Sequence, residues 1–135
     1  MPRWRLFYHV VWATKNRAPL IDPSMESSVG RKLRDVANRH GIIVHALGGM
    51  EDHLHIAISI PPKMPVSEAI RRLKGGSSHS LKAEFGPSFA WQNEYSVDSF
   101  SQRHLKYVVA YIDNQREHHQ AQTLLSDLEP IPDID

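Results

Sequence analysis

The chain of 135 residues contains no cysteine. That excludes disulfides, thiolate metal sites and cysteine nucleophiles, so any transition metal must be held by histidine, carboxylate, amide or water. There is no excess of charge either. Sixteen Lys and Arg against fifteen Asp and Glu leave a formal +1, too little to mark the molecule as a whole as a binder of polyanions. No apolar run approaches the roughly 18 residues of a membrane span, and the opening MPRWRLFYHVVWATKNR is too short, aromatic and polar for a secretory leader. A soluble, cytoplasmic protein without a membrane partner is expected. Hydrophobic residues make up 41% of the chain, enough for one core at this length.

What charge there is has been sorted along the chain. Arg71, Arg72, Lys74, Lys82, Arg103 and Lys106 make the middle basic, whereas SDLEPIPDID at 126–135 carries only acids. The expected organisation is a single domain over 1–125 followed by an acidic, flexible tail over 126–135.

Residues 4–14, WRLFYHVVWAT, are apolar on both alternating faces and predict a central strand covered on both sides. Asp22 and Pro23 form an N-cap and first-turn pair, and Val29, Leu33, Val36 and Ala37 then recur at helical spacing until Gly41. The runs 42–47 and 53–60 predict two strands joined through Gly48–Asp52. A second helical pattern runs through Val66, Ile70, Leu73, Leu81 and Phe85, and Gly75-Gly76 predicts a break or loosening within it. Phe89, Trp91, Tyr95 and Val97 alternate, which predicts a fourth strand over 89–97, with the aromatics read as core. A last helix is expected from Ser101 or Gln102, with Leu105, Val108, Val109 and Ile112 as its apolar stripe. The order β-α-β-β-α-β plus a C-terminal helix is that of an α+β, ferredoxin-like or RRM-like domain.

Within the third strand, DHLHIAIS (52–59) places His53 and His55 on one face with Cα atoms roughly 7 Å apart, close enough for two imidazoles to share an ion. Leu54, Ile56, Ile58 and Ile60 occupy the other face. The histidine face continues as Ala57 and Ser59, small residues that leave room for something above the sheet. Two histidines on a half-exposed strand can also simply face water, and two ligands are too few for a metal by themselves.

The last helix carries a row at i, i+4 made of Arg103, Tyr107, Tyr111, Gln115 and His119, beside the apolar stripe. Tyr111 and Gln115 therefore project from the same side, one turn apart. An amide oxygen is a hard ligand suited to Mg²⁺ or Mn²⁺, and a phenol oxygen can attack phosphorus when a metal polarises the phosphodiester. A boundary tyrosine that packs its ring and exposes its hydroxyl would give the same pattern. Tyr107 has Tyr111, not a metal-binding group, at i+4, and is read as packing or DNA contact.

The His-x-His strand followed by a helix with Tyr-x-x-x-Gln resembles the single-tyrosine HUH transposases of short bacterial insertion sequences and their REP-associated relatives. The likeness extends over YHVVWATKNRAPLI (8–21), GGMEDHLHIAI (48–58), RRLKGGSSHSLKAEF (71–85), WQNEYSVDSFS (91–101) and YIDNQREHH (111–119). It implies that His53, His55 and Gln115 hold Mg²⁺ or Mn²⁺ on the scissile phosphate of single-stranded DNA and that Tyr111 is the nucleophile. Cleavage would release a 3′-hydroxyl and leave a 5′-phosphotyrosine, so that a second DNA end is resealed without ATP or any nucleotide cofactor. The resemblance further implies a homodimer with a shared sheet, in which the tyrosine helix of one subunit can complete the histidine site of the other, acting on the nucleoid. Arg71, Lys74 and Lys82, with Ser77 and Ser78, would contact the phosphates of an imperfect hairpin at the element end; a solvated helix face is the plain alternative. Gly75-Gly76 departs from the more basic segment common in the family.

Two other functions suit the same pattern. One is a non-catalytic regulator that binds single-stranded nucleic acid through the same fold; the other is a histidine-based phosphoester hydrolase using His118 or His119. Tyr111 together with Gln115 discriminates against both, because neither needs that pair.

Overall fold

The computed structural model describes residues 3–114. Among them, strands β1 (Phe7–Ala13), β2 (Ile43–Met50), β3 (His53–Ser59) and β4 (Ser96–Phe100) form one antiparallel sheet in the order β2-β3-β1-β4. The helices are α1 (Glu26–Arg39), α2 (Val66–Phe85) and α3 (Leu105–Asp113). This is the ferredoxin-like order expected from the hydrophobic pattern, with the extra helix at its end. The 126–135 tail lies outside the described residues, and no described helix is long and apolar enough to cross a membrane.

The two central strands, β1 and β3, are buried on both faces, because helices cover the sheet on both sides. On one face Val10, Trp12, Leu54, Ile56 and Ile58 pack against Val29, Leu33 and Val36 of α1 and Ile70, Leu73 and Leu81 of α2. Each such side chain contributes about 1.5–3 kcal/mol when fully buried, so this layer is the main source of stability. On the other face Ala46 and Ala57 lie under Val108 and Ile112 of α3. The room left above Ala57 is filled by the chain's own last helix.

Local signals account for most boundaries. The Asp22 carboxylate accepts from the Ser24 backbone N–H at 2.9 Å and opens a short 3₁₀ turn, Pro23–Met25, that runs into α1. Strands β2 and β3 are joined by a turn at Glu51-Asp52, so Gly48 and Gly49 belong to β2, not to the connection.

Two expectations are corrected. Helix α2 runs unbroken through Gly75-Gly76. A Cβ at Gly76 would stand 2.7 Å from the Val36 side chain, so the glycine lets α1 and α2 approach, and that contact offsets its low helix propensity. The fourth strand begins at Ser96, not at Phe89. Residues 89–95 form a loop that touches the sheet through a Thr14–Trp91 bridge, and its alternating aromatics come from Phe89 and Trp91 dipping into the core, edge to face at 4.9 Å.

Candidate active site

Strand alternation places His53 and His55 on the α3 side of β3, with His55 opposite Val11 and Gly48 and His53 opposite Ala13 and Met50. Their exposures are 1% and 0%, which rules out histidines facing water. A buried imidazole requires hydrogen-bond partners, and both rings have them. His53 Nδ1 donates to the Asp52 carboxylate at 2.8 Å, and His55 Nδ1 shares a 2.8 Å hydrogen bond with His9 Nε2 from β1. The two candidate ligands face each other edge-on, ring centroids 5.3 Å apart.

Asp52 is itself held from the other side. Arg17 donates to Oδ2 from Nε at 3.1 Å and from Nη2 at 3.0 Å. Burial works against the charged carboxylate, but the His53 hydrogen bond and charge, together with Arg17, hold its pKa below the usual range, so Asp52 is an anion at neutral pH. Arg17 reaches it from a turn in which Asn16 and Arg17 take φ of 57° and 54°. Left-handed backbone at non-glycine residues costs of order 1–3 kcal/mol, and here it accompanies the grip on Asp52.

Helix α3 brings Tyr111 to the same place. The ring is 3% exposed and meets the His55 ring edge-on, centroids 6.2 Å apart. Tyr107, one turn earlier, is 55% exposed, so the two tyrosines are separated by environment although they share a helix row. The close seat of α3 depends on Gly48, where a Cβ would stand 2.4 Å from the Ile112 carbonyl oxygen. Gln115 lies outside the described residues.

The donor chemistry fits a divalent ion. Each histidine has Nδ1 engaged by a neighbour, which fixes the ring plane and makes Nε2 the nitrogen for coordination, the usual backing of a metal-bound histidine. Among the described residues no three His, Cys, Asp or Glu form a metal cluster; the third ligand expected from the sequence, Gln115, falls beyond them. A cavity of 370 Å³ between α1, the β2–β3 hairpin and the end of α3 reaches His53.

The basic row of α2 is only partly where it was expected. Arg71, Lys74, Ser78 and Lys82 line a 390 Å³ groove between α2 and the 90–95 loop, facing Trp91, Asn93 and Tyr95. Arg71 and Lys82 are exposed. The Lys74 ammonium donates to the carbonyls of Gln92 and Glu94 and lies about 6 Å from the Trp12 and Tyr95 rings. Burial pulls its pKa down to about 8, with the Glu94 charge acting the other way. Ser77 is not a phosphate contact: it is fully buried, its hydroxyl accepting from Trp91 Nε1 at 3.0 Å and donating to the Lys74 carbonyl at 3.2 Å. It falls one helical position inside the exposed row and faces the core.

The family model described as "Transposase IS200 like" matches residues 2–115. The chain belongs to the IS200-like transposase family. Among its relatives, the transposase for insertion sequence element IS200 of Salmonella typhimurium is 33% identical over 122 residues, 85% of this chain and 80% of that protein. The ISDra2 transposase TnpA of Deinococcus radiodurans is 25% identical over 121 residues, 84% and 86% of the two chains. A crystal structure from Deinococcus radiodurans R1, assigned as a transposase, superposes with a TM-score of 0.69 at 26% identity over 84% of this chain and 93% of that one. The structure of a REP-associated tyrosine transposase bound to a REP hairpin shares the fold, with a TM-score of 0.67 at 15% identity over 94% and 78%.

Three residues of this transposase's candidate site were not singled out from sequence: His9, Arg17 and Asp52. For His9 a signal exists, since a polar residue in the middle of a strand apolar on both faces needs a buried partner. Arg17 and Asp52 carry no such mark, because their pairing depends on two loops meeting across 35 residues of chain.

Proposed function

We propose that this transposase cuts and rejoins single-stranded DNA through a covalent 5′-phosphotyrosine at Tyr111, at a site where His53, His55 and Gln115 hold Mg²⁺ or Mn²⁺. The observation that carries the reading is the burial of the Tyr111 ring against His55, beside two imidazoles whose Nδ1 atoms are both engaged. The ion, when bound, polarises the scissile phosphate and neutralises its charge. The Tyr111 oxygen attacks phosphorus and gives up its proton to water; the bond from phosphorus to the 3′ oxygen breaks, and that oxygen leaves as a hydroxyl after taking a proton. Attack by a second 3′-hydroxyl reverses these steps and frees the phenol. One phosphodiester is exchanged for another, so no nucleotide is consumed. Phosphoryl transfer depends mainly on positioning and charge neutralisation, and a phenol packed in place supports the first requirement.

Arg71, Lys74, Ser78 and Lys82 form the surface assigned to the phosphates of a hairpin at the element end, a reading supported by their place along one groove beside Trp91 and Tyr95; the REP-associated transposase of the same fold is bound to a REP hairpin. The same proposal includes a homodimer acting on the nucleoid; among the described residues β2 and β4 are the edge strands of the sheet, on which strands of a second chain can pair.

The test is covalent capture. Protein, Mn²⁺ and single-stranded DNA from beside its own gene should give an adduct that survives denaturing electrophoresis. Tyr111→Phe should abolish it and Tyr107→Phe should not. An adduct that persists in Tyr111→Phe refutes the assignment, and tight DNA binding with no adduct on any strand favours a non-catalytic single-strand-binding regulator.

A further inference from the structure

We propose that His9 is the positioning residue for His55, selecting the tautomer in which His55 can bind a metal through Nε2; this rests on the metal reading of the site given above. His9 lies in the middle of β1, opposite Ala57 of β3 and Asp98 of β4, and is 2% exposed. Its ring stacks on that of His55 with centroids 5.1 Å apart and planes 22° from parallel, while Nε2 stands 2.8 Å from His55 Nδ1. The two residues are 46 apart in sequence and meet only because β1 and β3 pair in this register.

The chemistry follows from proton placement. Two neutral imidazoles joined by one hydrogen bond need one donor and one acceptor. For His55 Nε2 to offer a lone pair, the proton of His55 must sit on Nδ1, and that N–H then requires an acceptor, which is Nε2 of His9. His9 therefore decides which nitrogen of His55 is available, and its stacked ring holds the imidazole plane.

The backing differs between the two histidines. His53 has a carboxylate behind it, whereas His55 has a neutral acceptor. A carboxylate at position 9, where the side chain is 2% exposed, would carry a large desolvation cost beside the site and repel an incoming phosphate. A neutral acceptor orients the ligand without adding negative charge.

The experiment compares the full chain with His9→Leu, which cannot accept, and His9→Gln, whose amide oxygen can. Mn²⁺ affinity is measured by calorimetry without DNA, and folding is checked by circular dichroism. His9→Leu should weaken Mn²⁺ binding by about 10- to 100-fold, and His9→Gln should recover most of that loss. Nitrogen-15 spectra of the metal-free wild-type protein should place the His55 proton on Nδ1, a readout that needs no variant to fold. A folded His9→Leu that binds Mn²⁺ as tightly as wild type overturns the role of His9 and leaves the metal site standing, as does a His55 proton on Nε2. Wild-type protein without Mn²⁺ affinity, or with affinity unchanged by His55→Ala, overturns the metal site and the role of His9 together.

Discussion

Lys74 combines two demands on one side chain. Its ammonium is tied to the carbonyls of the 90–95 loop and is buried enough for its pKa to fall to about 8, yet it lines the groove assigned to DNA phosphates. Because the folded protein holds this proton less tightly than the unfolded chain, neutralising Lys74 favours the fold as pH rises from about 8 towards the ordinary lysine range. Its attraction for phosphate runs the other way and fades over the same interval. Hairpin affinity, measured by fluorescence anisotropy from pH 7 to 9, should therefore fall above pH 8 in the wild type. Lys74→Arg, charged throughout, should flatten that profile; an identical profile in the variant would remove Lys74 from the phosphate surface. Its neighbour Ser77 shows how little margin a helix row has, since one position separates a groove residue from a hydroxyl buried under Trp91. The chemistry of both residues was legible in sequence, but their burial was not, because it depends on where the loop from 89 to 95 folds back.

Helix α2 shows the limit of local propensity. Two adjacent glycines cost roughly 1 kcal/mol each in a helix interior, which alone predicts a loosened segment. Continuity follows from packing: Gly76 faces Val36 across the α1–α2 contact, while Gly75 has no neighbouring atom within 4 Å of where its Cβ would stand. The two positions should respond oppositely to alanine. Gly76→Ala forces the helices apart and should destabilise by about 1–3 kcal/mol, whereas Gly75→Ala should stabilise by about 0.5–1 kcal/mol. Urea denaturation of both variants measures this, and equal responses would refute the packing account. The displaced β4 has a related cause. Phe89 and Trp91 are buried, but so is Gln92, while Asn93 is exposed and Tyr95 half-buried; a loop laid across a core edge buries aromatic side chains without pairing as a strand.

Across the whole molecule the sheet separates two tasks. The α1–α2 face supplies the large apolar core, and the α3 face carries the histidines and Tyr111 beside a small cluster of Ala46, Ala57, Val108 and Ile112. Arg71 and Lys82 belong to the α2 side, so the proposed hairpin surface and the proposed cleavage site should be separable. The double variant Arg71→Ala/Lys82→Ala should weaken hairpin binding and reduce the slope of log affinity against log salt by about one for each phosphate no longer neutralised. Adduct formation on a short strand lacking the hairpin should persist; its disappearance would place both residues in the cleavage step. By itself the sequence determined the element order, the family resemblance, the His-x-His face and the tyrosine to test, because periodicity and motif spacing are carried within a few turns of chain. Only the tertiary structure decided that His9 backs His55, that Arg17 and Asp52 back His53, and that Tyr111 is buried while Tyr107 is not. Those relations join residues far apart in sequence through strand register and helix docking, so their energies do not exist until the sheet has closed and α3 has seated over it.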